Sequence, residues 1–432
     1  MLRYASYDVA VGEKLIARNI VEQLEDLLET FRVVIVGGAR QTGKTTLVNE
    51  LLERGPGTRF TFDDEAVRQR AVEDPIGFVE ALPRGASVDE YQRAGEPFLL
   101  AVKRRVDRDR SRGQLLLTGS ASYLATRRPV ETLAGRAGRL VLWPLSQGEQ
   151  RGVHETFVAR LFDAHGRPPT ANAPTNRAQL MEAVLRGGFP EVVSEALTGR
   201  RRRSWYQSYV HDVVSREALR PLVDIRLERE MLTLLRLMAA RSAQELIIAE
   251  LARDAGLARE TTANYVALLE ALYLVQPLPA WATNATTRAK RHPKIHLVDT
   301  GLAAHLSGAT MSDLSPLTPG RLLGPLLESF VVGELSKQAT WSERDIALSH
   351  FRDRAGAEID VIVEDRDSGA ICGIEVKASA TPTQRDARHL AYIRDRLGRR
   401  FTLGVVLHTG DVVLPLGDRL WAMPVSALWQ DV

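Results

Sequence analysis

The feature that most constrains the fold lies at residues 31–54, where an apolar run, a glycine-rich loop and an amphipathic stretch follow one another. Residues 31–36 are mostly β-branched or aromatic and predict a buried strand. Residues 38–45 fit the pattern GxxxxGK[ST] without a mismatch, and residues 46–54 predict a helix that ends at Gly55. A strand, a phosphate-binding loop and a helix in this order predict a parallel α/β sheet.

The loop predicts a site for the phosphates of ATP. Its glycines let backbone N–H groups curl around phosphate oxygens, and the helix N-terminus adds its positive dipole end. We expect Lys44 to reach the β- and γ-phosphates and the hydroxyl of Thr45 to bind Mg²⁺. The predicted nucleotide-binding residues are Gly38, Ala39, Arg40, Gln41, Thr42, Gly43, Lys44, Thr45, Thr46 and Ser120.

Two adjacent acidic residues, Asp89 and Glu90, predict the hydrolytic half of this site. They follow a short apolar segment, residues 86–88. We expect Asp89 to hold Mg²⁺, and Glu90 to orient or deprotonate the attacking water as a catalytic residue. Because Ser87 interrupts the apolar segment, a surface acidic turn is the alternative interpretation.

A second apolar strand is predicted over residues 114–120 and ends in Thr118 and Ser120. In a sheet of this type, polar groups at that strand end can sense the γ-phosphate. Ordinary capping of the strand end by the same hydroxyls is the alternative. Under either interpretation, Thr118 and Ser120 lie at the carboxyl edge of the sheet.

The basic residues are biased towards arginine. Seven of the 57 Lys and Arg residues are lysine, which leaves 57 − 7 = 50 arginines. The two are near-equivalent on a solvated surface, but they differ where a compact ammonium is needed. The net charge is only +3, so any nucleic-acid binding must come from local basic patches.

The middle of the chain is predicted to be helical and basic. Residues 163–176 lack periodicity and predict a flexible connection. Arg200–Arg203 form a run that predicts either a solvated helix start or a phosphate contact. Residues 243–255 and 259–272 predict a helix-turn-helix pair.

The segment after that pair predicts a basic wing, and with it a winged helix. Residues 283–294 contain Arg288, Lys290, Arg291 and Lys294. Four cations on a wing favour contact with DNA phosphates without base readout. Many winged helices only pack against other domains, which is the alternative.

The C-terminal part carries a second predicted site. A helix over residues 326–337 contains Glu328, with Glu334 as an alternative on the same helix, and a predicted hairpin contains Asp360, Glu375 and Lys377. The hairpin matches the D…ExK core of the PD-(D/E)XK nucleases. In such a site, Glu328, Asp360 and Glu375 would hold Mg²⁺ or Mn²⁺, and Lys377 would act on the attacking water as a catalytic residue. A surface hairpin with chance charges is the alternative.

Five segments together resemble a known group; they are GARQTGKTTL, FTFDDEAVRQRAVEDP, VDEYQ, LLLTGSASYL and LAGRAGRLVLWPLSQGE. They resemble the AAA-type ATP-binding proteins of bacteria and archaea that carry a C-terminal nuclease-fold domain of unknown function. The resemblance runs over residues 15–430. It implies that Arg136, in LAGR, is a catalytic finger or sensor for the γ-phosphate. Supplied by a neighbouring subunit, Arg136 would imply a homo-oligomer such as a dimer or a hexameric ring; a structural role is the alternative.

These observations predict an α/β chain with four parts. The expected parts are an AAA-type ATPase with a parallel P-loop sheet over 1–150, a helical lid and linker over 151–220, a winged helix over 221–300 and a mixed α/β nuclease-like domain over 301–432. The expected function is a Mg²⁺-dependent ATPase that acts on DNA, with branched DNA as the substrate that fold analogy indicates. A regulatory switch and a DNA-binding regulator, each with an inactive nuclease fold, stay open.

The cysteine count and the apolar runs indicate the compartment. Cys372 is the single cysteine and cannot form an internal disulfide, which is typical of a reducing cytosol. No apolar run reaches the ~18 residues of a membrane span, and the first ten residues lack the pattern of a signal peptide. The expected location is the cytoplasm, without a membrane partner.

Overall fold

The N-terminal part of the computed structural model is a parallel sheet of five strands in the order β2-β3-β4-β1-β5. The structure describes residues 15–54, 57–120, 133–163, 166–168, 176–214, 228–282, 291–314 and 322–430. The strands are β1 (Val33–Gly37), β2 (Arg59–Thr61), β3 (Ala86–Asp89), β4 (Leu115–Gly119) and β5 (Ala137–Val141). The helices around them are α1 (Val21–Thr30), α2 (Lys44–Glu53), α3 (Glu65–Glu73), α4 (Pro75–Ala81) and α5 (Gly95–Arg108).

This strand order positions the predicted nucleotide site. Because the strands are parallel, the loops after β1, β3 and β4 leave the sheet at the same carboxyl edge. Strands β1, β3 and β4 are buried, as expected for the centre of a parallel sheet covered by helices. The predicted parallel α/β sheet is therefore confirmed.

The middle of the chain is mainly helical. Its helices are α6 (Phe157–Asp163), α7 (Arg177–Arg186), α8 (Pro190–Ser194), α9 (Gly199–Val214), α10 (Glu228–Ala240), α11 (Ile248–Ala255), α12 (Arg259–Ala271) and α13 (Thr300–Ser307). Between α12 and α13, strands β6 (Val275–Leu278) and β7 (Lys294–Leu297) form an antiparallel pair. Residues 283–290, which hold Arg288 and Lys290 of the predicted wing, lie outside the described residues.

Two predictions for this region are wrong. The helix predicted from Ala243 begins only at Ile248, because the backbone N–H groups of Ala243 and Leu246 donate to Ile295 and Pro293 beside β7. A short apolar run is compatible with either a helix or a strand. Here the hydrogen bonds to the chain at β7 keep these residues out of the helix. Lys294 is not an exposed wing cation, since it is the first residue of β7 and is buried.

Two consecutive glycines before α8, Gly187 and Gly188, lie against Asp299. Gly187 has φ = 74°, and a Cβ there would lie 2.3 Å from a carboxylate oxygen of Asp299. The buried Asp299 carboxylate accepts hydrogen bonds from the N–H groups of Gly188 and Leu302 and from the Tyr206 hydroxyl. The segment that precedes α8 is thus fixed to the start of α13.

The C-terminal part contains a mixed sheet, as predicted, and its six strands lie in the order β12-β13-β11-β10-β9-β8. The strands are β8 (Ile346–Arg352), β9 (Glu358–Asp365), β10 (Ile371–Lys377), β11 (Phe401–His408), β12 (Leu414–Gly417) and β13 (Leu420–Pro424), and the helices are α14 (Leu323–Trp341) and α15 (Arg388–Leu397). Strands β9 and β10 form the predicted hairpin, with Ile374 opposite Val361. Short 3₁₀ helices cover Tyr91–Ala94, Glu149–Arg151, Gln384–Ala387, Gly398–Arg400 and Val425–Trp429.

One apolar core joins the helices of the middle part, α14 and the C-terminal sheet, with Phe189, Leu327 and Ile374 among its buried members. The N-terminal parallel sheet has separate cores on its two faces. Among the described residues, no helix combines the length and the apolar composition needed to cross a bilayer.

Candidate nucleotide site and C-terminal carboxylate pocket

The phosphate-binding loop connects β1 to α2 with the geometry that its glycines require. Gly38 has φ = 153°, and a Cβ there would lie 2.4 Å from the carbonyl oxygen of Leu142. Gly43 has φ = 90° and immediately precedes Lys44, the first residue of α2. The loop therefore directs the N-terminus of α2 towards a space at the carboxyl edge of the sheet, as an anion site needs. The remaining predicted loop residues, Ala39, Arg40, Gln41, Thr42, Thr45 and Thr46, lie on this loop and the first turn of α2.

The ammonium of Lys44 is held inside the loop. Its Nζ donates hydrogen bonds to the carbonyl oxygens of Gly38 at 2.9 Å and Ala39 at 2.7 Å. The residue is only 5% exposed. Burial lowers the pKa of Lys44 to about 8, against the opposing charges of Glu90 and Asp89. A bound phosphate group would favour the charged form of Lys44, because a phosphate is negatively charged and the two carbonyl groups are neutral.

Asp89 lies at the end of β3 in contact with the loop. It is 6% exposed, so it does not belong to a surface acidic turn. Its Oδ2 accepts a hydrogen bond from the Thr45 hydroxyl at 2.8 Å, and its Oδ1 accepts one from the Thr118 hydroxyl. Arg59 from β2 forms an ion pair with Oδ2 at 3.2 Å. The Thr45 and Asp89 oxygens thus meet where Mg²⁺ of a bound nucleotide would be held, and this oxygen pair fits that ion.

Glu90 is oriented by two polar neighbours. It adopts a left-handed backbone conformation, with φ = 53°. Its Oε2 accepts a hydrogen bond from the Ser120 hydroxyl at 3.0 Å and another from the Gln92 side-chain amide. The structure therefore brings Lys44 and Ser120, together with the two acidic residues, to one edge of the sheet. Sequence reasoning missed Arg59 and Gln92 as members of this site, although VDEYQ contains Gln92.

A further arginine, Arg18, anchors the loop from outside the motif. Its guanidinium donates to the carbonyl oxygens of Thr42 at 2.9 Å and Trp143 at 2.6 Å, and it pairs with Glu149 at 3.0 Å. No motif in the sequence marks Arg18, since these partners are far apart along the chain. The contacts tie the loop to the segment that follows β5.

Helix α9 also contacts the loop. The Arg40 guanidinium donates to the carbonyl oxygen of Asp212 at 3.3 Å, and the Tyr209 hydroxyl donates to the carbonyl oxygen of Arg40 at 3.4 Å. Burial raises the pKa of the Tyr209 hydroxyl, so this group stays a hydrogen-bond donor. These two hydrogen bonds connect the phosphate loop directly to α9.

Arg136 does not lie near the phosphate loop of its own chain. It precedes β5, and its carbonyl oxygen accepts a hydrogen bond from Val33 at the start of β1. Its guanidinium pairs with Asp107 at 2.5 Å. Because the loop follows the opposite end of β1, the length of a five-residue strand, ~16 Å, separates Arg136 from it. The predicted contact of Arg136 with a γ-phosphate therefore requires a nucleotide that is bound to a neighbouring subunit.

The predicted nuclease-like residues converge on one cleft of about 630 Å³. Its walls include Glu328 from α14, Glu358 and Asp360 from β9, and Glu375 and Lys377 from β10. The alternative to Glu328, Glu334, lies elsewhere and pairs with Lys337 at 2.6 Å. The structure therefore brings all four predicted residues together and adds Glu358.

The carboxylates of β9 and β10 are already partly bonded. Asp360 Oδ2 accepts a hydrogen bond from the Val376 N–H at 2.8 Å, and Lys377 Nζ lies 2.6 Å from Glu375 Oε1. Glu375 Oε2 is buried and has no hydrogen-bond partner within the described part of the chain. Burial and the neighbouring Asp360 raise the pKa of Glu375 to about 8, although Lys377 lowers it.

Lys294, which sequence reasoning placed on a surface wing, enters the same cluster. Its Nζ lies 2.7 Å from Glu328 Oε1, 2.9 Å from Glu358 Oε1 and 3.3 Å from Asp360 Oδ1. These carboxylates raise the pKa of Lys294 despite its burial. Across the described residues, no group of three or more His, Cys, Asp or Glu side chains has the arrangement of a metal-binding site.

Three family matches divide the chain. Residues 30–150 match the family described as AAA domain, residues 177–313 match a domain of unknown function (DUF8612), and residues 323–428 match another (DUF4143). With the parallel sheet and the phosphate loop, the first match shows that the chain contains an AAA-type ATP-binding domain with the P-loop ATPase fold.

Two curated relatives extend the similarity over most of the chain. The uncharacterized proteins Rv2008c of Mycobacterium tuberculosis and Mb2031c of Mycobacterium bovis are each 28% identical over 414 residues, which covers 95% of this chain and 84% of the relative. Among solved structures, the Walker-type ATPase PABY2304 of Pyrococcus abyssi is 16% identical, with a TM-score of 0.43 over 68% of this chain and 96% of that chain. The RuvB Holliday junction branch migration motor of Thermotoga maritima is 17% identical, with a TM-score of 0.28 over 61% and 90%.

Nucleotide binding is expected to take up a proton at Lys44. Near pH 8, a part of the Lys44 population is neutral, and the phosphates favour its charged form. Uptake should approach ~1 proton per nucleotide about one pH unit above that pKa and vanish well below it. Calorimetric titration in two buffers of different ionisation enthalpy measures it. The Lys44→Arg variant should show no uptake, and equal uptake in that variant would contradict the assignment.

Proposed function

We propose that the protein is a Mg²⁺-dependent ATPase that couples nucleotide turnover to the binding and processing of DNA. The observation that carries the ATPase part is the meeting of Lys44, Thr45, Asp89 and Glu90 at one sheet edge. The hydroxyl of Thr45 lies 2.8 Å from Asp89 Oδ2, which suits two oxygens that share one Mg²⁺ environment.

Each of these residues has a separate role in the proposed reaction. When bound, Mg²⁺ neutralises charge on the phosphate oxygens. Lys44 leaves its two carbonyl partners and binds the β- and γ-phosphates of ATP. The backbone N–H groups of the loop donate hydrogen bonds to the triphosphate. Glu90, oriented by Ser120 and Gln92, accepts the proton of the attacking water. Arg136 of a neighbouring subunit would stabilise the charge on the γ-phosphate, which makes a homo-oligomer part of the proposal.

Helix α9 supports a link between this site and DNA. Arg200, Arg201 and Arg203 are exposed at its start, whereas Arg202 pairs with Glu182. Near its end, α9 contacts Arg40 of the phosphate loop. Contacts between these arginines and DNA phosphates would thus be connected to the nucleotide site by a single helix.

The elements α10 to α12 and the β6–β7 pair support the proposed winged helix as a second DNA contact. Arg259, Glu260 and Asn264 are exposed on α12. Thr262, in the first turn of this helix, is buried and donates to the Ala258 carbonyl oxygen at 3.0 Å. The contact expected from this region is with phosphates and not with bases.

DNA is expected to raise ATP turnover several-fold, ~3–10 times, with four-way DNA at least as effective as duplex or single-stranded DNA. Steady-state phosphate release with each DNA form measures this. Changing Arg200, Arg201 and Arg203 to Gln should remove the stimulation and keep the basal rate. The matched control changes three exposed arginines of the C-terminal part, Arg366, Arg399 and Arg400, to Gln. Unchanged turnover with every DNA form would contradict a DNA-coupled ATPase.

The position of Lys294 favours a second candidate function, an ATP-driven switch or DNA-binding regulator with an inactive nuclease fold. An ammonium among Glu328, Glu358 and Asp360 uses carboxylate oxygens that a nuclease gives to its metal. Comparing wild type with Lys377→Ala and Asp360→Ala on several DNA forms, with Mg²⁺ or Mn²⁺, separates the candidates. Cleavage that both substitutions abolish supports a nuclease, and equal cleavage in all three means a contaminant or another site.

A further inference from the structure

Lys294 contacts three of the C-terminal carboxylates and reaches them from a different part of the fold. It begins β7, it is 3% exposed, and its backbone lies beside Glu245 in an isolated bridge. The carboxylates come from α14 and β9. Three acidic side chains from two elements therefore surround one ammonium, as ligands surround a cation.

With Lys294 in place, the described carboxylates do not have the arrangement of a metal-binding site. Lys294 holds carboxylate oxygens that a divalent cation would need. Glu328 Oε1 and Asp360 Oδ1 lie 2.7 and 3.3 Å from its Nζ. A divalent cation binds carboxylate oxygens at ~2.0–2.6 Å. An ammonium and a metal cannot both take these oxygens, because their charges would repel each other at a few ångströms.

The other side of the cleft keeps an unused ligand. Glu375 Oε2 is buried without a hydrogen-bond partner in the described residues, whereas Oε1 of the same carboxylate is held by Lys377. A buried carboxylate oxygen without a partner is costly unless a ligand satisfies it. Glu375 lines the open cleft, so an ion that enters the cleft comes close to this carboxylate.

We propose that Lys294 and a divalent cation are alternative occupants of the carboxylate pocket, and that Lys294 closes the metal position until its side chain withdraws. A lysine side chain has enough rotatable bonds to leave the oxygens without movement of β7. The inference rests on the proposed nuclease-like pocket, and it is independent of ATP hydrolysis at Lys44.

The first test measures Mn²⁺ binding without nucleotide in the full chain, in an Asp89→Asn background that weakens the other metal site. Lys294→Met and Lys294→Gln should bind one Mn²⁺ at least ~10-fold more tightly than the parent. Lys294→Arg should behave like the parent, because it keeps the charge. Lys103→Met, a loss of one lysine on α5, is the matched control. Adding Glu375→Gln to Lys294→Met should abolish the gain.

Equal Mn²⁺ affinity in the parent and both neutral variants would overturn the proposal, and so would no binding in any of them. Should the neutral variants unfold, amine labelling of the wild-type chain decides. Mn²⁺ in excess should raise the labelling of Lys294 but not that of Lys337, which is also buried beside a glutamate. Unchanged labelling of Lys294 would then contradict the proposal. ATP turnover measured on the same Lys294 variants without the Asp89 change distinguishes this failure from failure of the ATPase.

Discussion

Replacing Lys44 with alanine is expected to lower ATP turnover by at least ~100-fold, since the variant loses the cation that stabilises charge on the transferred phosphate. The side chain is buried and bonded only to loop carbonyls at 2.9 and 2.7 Å among the contacts described, so no structural partner outside the loop depends on it. The measurement is steady-state phosphate release with saturating Mg²⁺ and ATP, together with the affinity for a labelled nucleotide.

Two further variants make this result specific. Lys103→Ala removes a lysine from α5 in the same domain, and it should leave turnover within a factor of ~2. Lys44→Arg keeps the charge but replaces a compact ammonium with a planar guanidinium in a buried site, so we expect a loss close to that of alanine. Turnover by Lys44→Ala close to the wild-type rate would remove the assignment of residues 38–45 as the phosphate loop.

Replacing Lys337 with methionine is expected to lower the free energy of unfolding by ~3–5 kcal/mol, because it leaves a buried carboxylate without its cation. Glu334 is 1% exposed and Lys337 is 7% exposed. Lys337 Nζ lies 2.6 Å from Glu334 Oε1 and donates to the Leu145 carbonyl oxygen at 3.1 Å. Glu334 Oε2 accepts from the Gln147 N–H at 2.8 Å, so the pair joins α14 to the end of the AAA-type domain.

Chemical denaturation followed by circular dichroism measures this effect. The double variant Lys337→Met with Glu334→Gln should recover part of the loss, since it removes the uncompensated charge together with its partner. Lys103→Met is the control and should stay within ~0.5 kcal/mol of wild type. A change of that small size in Lys337→Met would show that the buried pair does not hold the two parts together.

The elements with strong local patterns were predictable. The phosphate loop needs glycine where φ is positive and a lysine at the start of α2, and residues 38–45 contain both. The hairpin of β9 and β10 was predictable because its alternating pattern and its turn are local. The same pattern assigned Asp360, Glu375 and Lys377 to one face before any fold was known.

The residues that were misplaced or missed are those whose partners are distant in sequence. Arg18 contacts Glu149 and Thr42, and Arg59 contacts Asp89, through packing that no periodicity encodes. Arg136 fits a motif, yet its strand places it at the amino edge of the sheet. The motif around Arg136 does not say that the residue precedes a strand, and this is what places it at the amino edge.

The sequence by itself determined a phosphate loop, two acidic residues at the end of another strand and a carboxylate-bearing hairpin, because each depends on residues close together in the chain. The structure separates that acidic strand, β3, from β1 by β4. Only the tertiary structure decided that Lys294 faces Glu328 and Asp360, from which it is separated by 34 and 66 positions. A basic segment looks like a surface wing as long as its neighbours are unknown. Burial beside three carboxylates turns the same lysine into the cation of a pocket, and the long-range packing of β7 against α14 and β9 produces that change.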